Sequence, residues 1–124
     1  MPVDFVPPQL PSPCRVVLLG AATQGWYSAS DEDRRQRALP RFQAVVEEWR
    51  ALGAVPLGTL DDDLFMVGEP GSPEFTWYLM FDVPSFEVVA AMIQRVRESV
   101  DGVRLDEFVR FEARIGRPFF LLEG

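Results

Sequence analysis

The chain has 124 residues, 48% of them hydrophobic and 25% charged, with 12 cationic against 19 acidic side chains and a net charge of −7. That is one ordinary globular domain, able to bury roughly two-thirds of the surface its unfolded form exposes, with no need of a disulfide or metal to fold. The acidic excess argues against a nucleic-acid backbone as partner, since phosphate binding needs clustered cations. The sequence contains no His, no Lys and no Asn, and all its cations are Arg. Histidine bases, Ser-His and Cys-His pairs, haem-ligating imidazoles, His-bearing zinc sites, Schiff bases and a Walker lysine are thereby excluded. Cys14 is the single cysteine and has no internal disulfide partner. The expectation is a chain without metal or cofactor, whose chemistry is left to carboxylates, Arg, Tyr, Trp, hydroxyls and backbone amides.

In chain order, residues 1–14 carry five prolines and read as an extended N-terminal arm, with residues 15–124 as the single folded domain. The arm lacks the cationic start and apolar core of a signal peptide, and no segment reaches the about 18 apolar residues of a membrane span. A cytoplasmic protein without membrane contact is expected. Arg15–Ala22 (RVVLLGAA) is apolar on both alternating faces, the pattern of a strand buried on two sides. A loop with Trp26 and Tyr27 follows. Ser30 begins a helix, with Asp33 placed for a capping box, and Pro40 either kinks that helix or opens a second one. Phe42, Val45, Val46, Trp49 and Leu52 keep helical spacing up to Gly53.

Ala54–Leu60 and Leu64–Val67 read as one strand with an acidic irregularity at Asp61–Asp63, or as a short hairpin. Glu69–Pro73 is a turn by its chemistry. Phe75–Phe81 (FTWYLMF) reads as a strand with large side chains on both faces. Ser85 caps a second helix whose buried stripe is Phe86, Val89, Met92, Ile93, Val96 and Val100, ending at Gly102. Val109–Ile115 alternates strictly between apolar residues and Arg110, Glu112 and Arg114. Phe119–Leu122 is an apolar tail that adds a strand or packs on a neighbour.

The order β-α-β-β-α-β predicts an α+β fold of the ferredoxin-like kind, an antiparallel sheet with two helices on one face. Strands apolar on both faces require a cover for the second face, and a second copy of the chain, sheet against sheet, supplies it. This pattern, with the strand-to-helix segment Phe81–Met92 (FDVPSFEVVAAM), resembles the dimeric α/β-barrel superfamily over residues 15–117, and within it is similar to the darcynin-like proteins. The resemblance implies a homodimer and a small cofactor-independent enzyme of secondary metabolism, a monooxygenase, cyclase or isomerase acting on an apolar, aromatic or polyketide-like metabolite. The alternative is a non-catalytic ligand-binding or accessory protein of the same fold. A His catalyst found in other branches is missing here, so no catalytic residue carries over.

Candidate site residues come from the chain itself. Trp26, Trp77 and Tyr78 are candidates for aromatic walls around a flat ligand, although the same residues would serve as core or interface packing. Trp77 and Tyr78 point to opposite faces of their strand. Trp77 shares its face with Phe75, Leu79 and Phe81 and is assigned to a pocket between sheet and helices; Tyr78 is assigned to the dimer side. Tyr27, Glu112 and Arg114 are the candidate catalytic groups. Glu112, flanked by Arg110 and Arg114, would stay ionised as a weak base, and Arg114 would hold a carboxylate or enolate. The same charges would equally keep an edge strand soluble. Asp61, Asp62 and Asp63 alternate in direction, so three adjacent strand residues do not converge on one ion.

Overall fold

A computed structural model describes residues 13–64, 67–68, 74–117 and 119–122. The arm expected over 1–14 lies outside this range except for Pro13 and Cys14, as does the turn at 69–73. Cys14 already belongs to the first strand, where it is buried.

The strands are β1 (Cys14–Ala22), β2 (Val55–Asp61), β3 (Trp77–Val83), β4 (Ser99–Val100), β5 (Val103–Arg104) and β6 (Val109–Gly116). The helices are α1 (Gln24–Ser28), α2 (Asp31–Asp33), α3 (Leu39–Ala51) and α4 (Phe86–Arg97). Strands β2-β3-β1-β6 form one antiparallel sheet, and β4-β5 a separate hairpin. The α+β class and this four-stranded antiparallel sheet are compatible with the ferredoxin-like arrangement expected from the sequence.

The register sorts the side chains. Leu18 lies opposite Leu79 and Ala113, and Gly20 opposite Trp77 and Phe111. Alternation then puts Cys14, Val16, Leu18, Leu79, Phe81 and Phe111 on one face, against α3 and α4. Arg15, Val17, Leu19, Tyr78, Met80, Glu112 and Arg114 fall on the other, outside the described core cluster, although Leu19 is itself buried there. Strand β2 is an edge strand, exposed along its length, and its register slips between Pro56 and Gly58. An edge is where a proline, which lacks the ladder N–H, is tolerated, and a bulge there discourages a further strand from pairing.

The Ser30 hydroxyl accepts the Asp33 N–H at 3.0 Å, starting α2 as expected. Pro40 neither breaks nor sharply ends the helix. The residues before it, Arg34–Ala38, widen into a π turn and α3 follows directly with Pro40 in its first turn. Pro40 has no N–H to give the preceding turn and its ring crowds the carbonyl there; a wider turn relieves both. Between the helices, Trp49 Nε1 donates to the Met92 carbonyl at 2.9 Å, and Arg41 Nη2 donates to the Arg95 carbonyl at 3.1 Å. Arg41 is only 6% exposed and lies 3.6 Å from a Glu48 oxygen. It serves one of the last-turn carbonyls of α4 that the helix cannot satisfy itself.

Helix α4 is shorter than its periodicity suggests. It stops at Arg97, and Val100, expected in its buried stripe, is 40% exposed in the β4-β5 hairpin. Asp101 and Gly102 both have positive φ, at 54° and 77°. A two-residue type I′ turn requires this, and Asp-Gly is among its preferred sequences. Turn chemistry outcompeted helical spacing. Phe86, at the start of the expected stripe, is also exposed. The tail forms a 3-10 turn at Phe120–Leu122 rather than a strand.

Candidate functional site

A cavity of about 320 Å³ lies between α3 and the β2-β3 side of the sheet. Helix α3 contributes Phe42, Val46 and Trp49 because these residues are spaced three and four apart and share its inner face. Strand β3 contributes Trp77, Leu79 and Phe81 because alternate residues share a face. Edge strand β2 closes the remaining side with Pro56 and Thr59. The aromatic rings form a connected set: Phe42 sits 6.2 Å from Trp77, and Phe111 sits 5.8 Å from Phe42 and 5.6 Å from Trp49 in edge-on contacts. Edge-on and tilted contacts of this length are the favoured geometry for such rings.

Gly20 makes the arrangement sterically possible. A Cβ at that position would lie 2.6 Å from Phe111 Cε1 and 2.9 Å from Trp77 Cε3. Its bare backbone lets both rings lie against β1 from either side, a close approach that only glycine permits.

The cavity wall is almost wholly apolar. Arg50 and Thr59, both exposed, are its polar members, and no carboxylate lines it. Trp77, assigned from the sequence to a pocket between sheet and helices, is found on this wall. The face assignment made from the bulk of Phe75, Trp77, Leu79 and Phe81 matches the register for the last three, while Phe75 lies before β3 and packs against Arg110.

The other candidate residues are dispersed. Trp26 packs on the core from α1, with the Arg34 guanidinium 5.3 Å from its ring centre. Arg34 also donates to the Trp26 carbonyl at 2.9 Å and the Tyr27 carbonyl at 3.1 Å, tying α1 to the π turn. Tyr27 is 66% exposed and lines none of the described cavities. Tyr78 lies on the open sheet face, above a shallower hollow of about 300 Å³ shared with Val17, Leu57, Leu60 and Met80. Its hydroxyl donates toward Asp62 Oδ2 at 2.9 Å, with the Phe75 carbonyl at 3.2 Å. That bond to the carboxylate, helped by partial desolvation and the negative charge, holds the phenol above its usual pKa.

Glu112 and Arg114 also lie on the open face, where Arg114 donates two bonds to Glu112 Oε2 at 2.8 and 3.0 Å. Arg110 does not join them. It donates to the Glu74 carbonyl at 2.9 Å and stacks 4.9 Å from the Phe75 ring centre. Of the three candidate catalytic residues, Glu112 and Arg114 are paired with each other while Tyr27 stands apart, and none of the three lines the aromatic cavity.

Nothing among protein-family models, curated proteins or solved structures matches this chain. The reading of the site rests on its own side chains. Among the described residues no cluster of three or more His, Cys, Asp or Glu is placed to hold a metal ion, and no helix is long and apolar enough to cross a membrane. The acidic run is spent on local bonds: Asp61 Oδ1 accepts the Asp63 N–H at 3.1 Å, and Asp62 holds Tyr78.

Several cavity residues carried no functional signal in the sequence. Phe42, Val46 and Trp49 looked like an ordinary buried helix stripe, which they also are. Arg50 lies outside that apolar stripe and is exposed. Pro56 and Thr59 line the cavity from either side of the register shift in β2, and a bulge at a sheet edge is invisible to periodicity.

Proposed function

We propose that the protein binds a flat, apolar, aromatic or polyketide-like small molecule in the cavity between α3 and the sheet, and that two copies associate through their open sheet faces in the manner of a ferredoxin-like dimeric α/β barrel. The observation that carries the binding reading is the cavity itself: aromatic walls from Phe42, Trp49, Trp77 and Phe81, enough room for one or two rings, and a rim exposed to solvent. Small-molecule sites are concave, mostly apolar and fitted with a few placed polar groups, at volumes of about 300 Å³ and above.

The homodimer reading is supported by the open face. Leu60 is 62% and Met80 41% exposed, with Val55 and Leu57 also exposed beside them. Arg114 and Glu112 at its margin offer both signs of charge, which suits a self-complementary two-fold contact.

The catalytic version, a cofactor-independent monooxygenase, cyclase or isomerase, needs a group at the cavity to take a proton or steady an anion. Tyr27, Glu112 and Arg114 are not there, and although Arg50 and Thr59 are among the lining residues, the cavity surface itself is almost wholly apolar. This favours a binding role, with any turnover resting on a substrate that is itself acidic. Product formation from phenolic and polyketide substrates in air, without added cofactor, separates the two.

Binding is tested by titration calorimetry with 2-naphthol, an uncharged two-ring probe. One site per chain is expected, lost in Thr59→Trp, which blocks the rim without touching the core. Equal binding by the variant would place the ligand elsewhere, and no binding by either protein would contradict the reading.

A further inference from the structure

We infer that the free edge of β6 is a second self-association surface, at which β6 of two copies pair antiparallel about Ala113 and join their sheets into one. Such pairing requires neither a ligand in the cavity nor contact between the open sheet faces.

The two edges of the sheet are not alike. Strand β2 carries Pro56 and a slipped register, which discourage another strand from pairing. Strand β6 has no proline, and its register with β1 runs unbroken from Arg15 opposite Gly116 to Ala22 opposite Val109. The next pair continues it, since the Thr23 N–H donates to the Phe108 carbonyl at 2.9 Å. Bonded pairs alternate along an antiparallel ladder, so Arg110, Glu112, Arg114 and Gly116 turn their N–H and C=O groups toward β1. Those of Val109, Phe111, Ala113 and Ile115 turn outward, and none of them bonds to another described element. The edge is a regular row of open donors and acceptors, the template that a further strand needs.

Exposed charges commonly guard such an edge, and here their order decides what is admitted. With Glu112 set opposite itself, Arg110 faces the partner's Arg114 and every charged pair is of like sign. With Ala113 set opposite itself, Glu112 faces the partner's Arg114, and Arg114 faces the partner's Glu112. Opposite charges directly across a strand pair stabilise it and like charges oppose it. The Ala113 register also makes bonded pairs of Ala113 with itself and of Phe111 with the partner's Ile115, as the outward groups require. It pairs residues 110–116 of each strand, whereas centring on Phe111 also joins opposite charges but pairs only 109–113. Glu112 and Arg114 fall at non-bonded pairs, where side chains lie closest. Within one chain Arg114 bonds only to Glu112 Oε2, which leaves Glu112 Oε1 without a partner among the described residues.

Helix α4 borders the same edge. Ile93 and Arg97 line a hollow of about 200 Å³ together with Arg110 and Phe111 of β6. Phe86 and Ala90, four and three residues apart along the row that leads to Ile93, share that side of the helix. Both are exposed, Phe86 by 46%. Joining the sheets sets a second α4 beside the first and covers this apolar margin. A single strand pair buries less than a standard interface, so the edge contact needs a higher protein concentration than the open faces do.

The test is disulfide trapping in Leu60→Lys/Met80→Lys protein, whose open faces no longer pair. Glu112→Cys and Arg114→Cys are made separately in that background; both positions are exposed, and Cys14, buried and common to every sample, serves as the internal control. In the inferred register the two new cysteines face each other with Cα atoms about 4.5 Å apart, within disulfide reach, while the other charged pair stays intact. Two copies of one variant place their cysteines on a diagonal of about 7–8 Å, past that reach. Under oxidation at sub-millimolar protein, a mixture of the two variants should form a covalent dimer and neither should do so alone. In the same background Glu112→Arg, which sets Arg opposite Arg, should abolish the dimer seen by sedimentation at that concentration, and Glu112→Arg/Arg114→Glu should restore it.

No crosslink in the mixture, equal crosslinking of either variant alone, or no rescue by the charge swap overturns the inference. Should the mixture crosslink while the parent protein is monomeric at micromolar concentration, the edge contact stands and the open-face reading falls. Should the parent dimerise and the mixture fail to crosslink, the reverse holds.

Discussion

The two faces of the sheet are made from alternate residues of the same strands, yet they are finished differently. On β1, Val16 and Leu18 are fully buried beneath α3 and α4, while on the opposite face Val17 is only half-buried and Arg15 exposed, with Leu19 the buried residue of that side. The helix-covered face ends in a cavity walled by aromatic rings. The open face carries Leu60, Met80 and Val17, bordered by ion pairs at Arg15–Asp82 and Glu112–Arg114. The difference separates two kinds of apolar surface. One is a half-open hollow shaped within a single chain, which suits a small molecule; the other is broader and shallower, which suits another protein surface.

The largest expected effect lies on the covered face. Trp49 is fully buried, contacts the Phe81 and Phe111 rings and bonds to the Met92 carbonyl. Trp49→Ala should cost about 3–5 kcal/mol in chemical denaturation, from lost burial and the void left behind. A loss near zero would mean that α3 does not pack as described. Gly20→Ala comes next. Its new methyl would meet the Phe111 and Trp77 rings, so overpacking should cost about 1–3 kcal/mol and displace the walls of the cavity. Loss of 2-naphthol binding in a folded Gly20→Ala protein would tie that ligand to this face.

The open face should respond in the opposite way. Leu60→Lys combined with Met80→Lys touches exposed positions and should change the stability of the chain by only about 0.5 kcal/mol per site. Sedimentation equilibrium should nevertheless show a dimer converted to a monomer. A parent protein that is monomeric at micromolar concentration would contradict the assignment of this face.

The smallest effect concerns acid stability. Asp82 is paired across the sheet with Arg15, at 3.0 and 3.3 Å, and that hydrogen-bonded guanidinium holds its carboxyl below the usual carboxylate range. A carboxyl depressed on folding contributes stability above its unfolded pKa of about 3.9, and the contribution is lost as pH falls through the lower folded value. Arg15→Gln should therefore leave the neutral-pH stability nearly unchanged, since both groups are half-exposed. It should move the Asp82 titration, followed by carboxyl NMR, up toward the ordinary value. An unmoved titration would show that the pair does not form in solution.

How much of this was legible beforehand depended on the scale of the cause. Strand β1 and the buried residues of α3 followed from side-chain spacing alone, and so did the opposite faces of Trp77 and Tyr78. Those patterns arise from periods of two and 3.6 residues, which every element of the type shares. The end of α4 was misread because the Asp101–Gly102 turn competes locally with helical spacing, and the sequence displays both signals. Pro40 marked either a kink or a second helix start, but the π turn over Arg34–Ala38 that accommodates it has no sequence signal of its own. The cavity was legible only in part. Trp77 could be placed on its face, but the place of Arg50 among the lining residues depends on how α3 packs against β2, a tertiary coincidence without a local signature. Tyr27, Glu112 and Arg114 were chosen for chemistry, and chemistry does not report distance.

The central claim, that the covered face is the ligand face, is tested most directly by the side-chain indole N–H resonances of Trp26, Trp49 and Trp77. Trp49 and Trp77 line the cavity and Trp26 does not. On titration with 2-naphthol, the Trp49 and Trp77 resonances should shift together and saturate at one ligand per chain, while Trp26 stays in place. Movement of Trp26 with Trp49 and Trp77 unmoved would put the ligand at α1 and contradict the account.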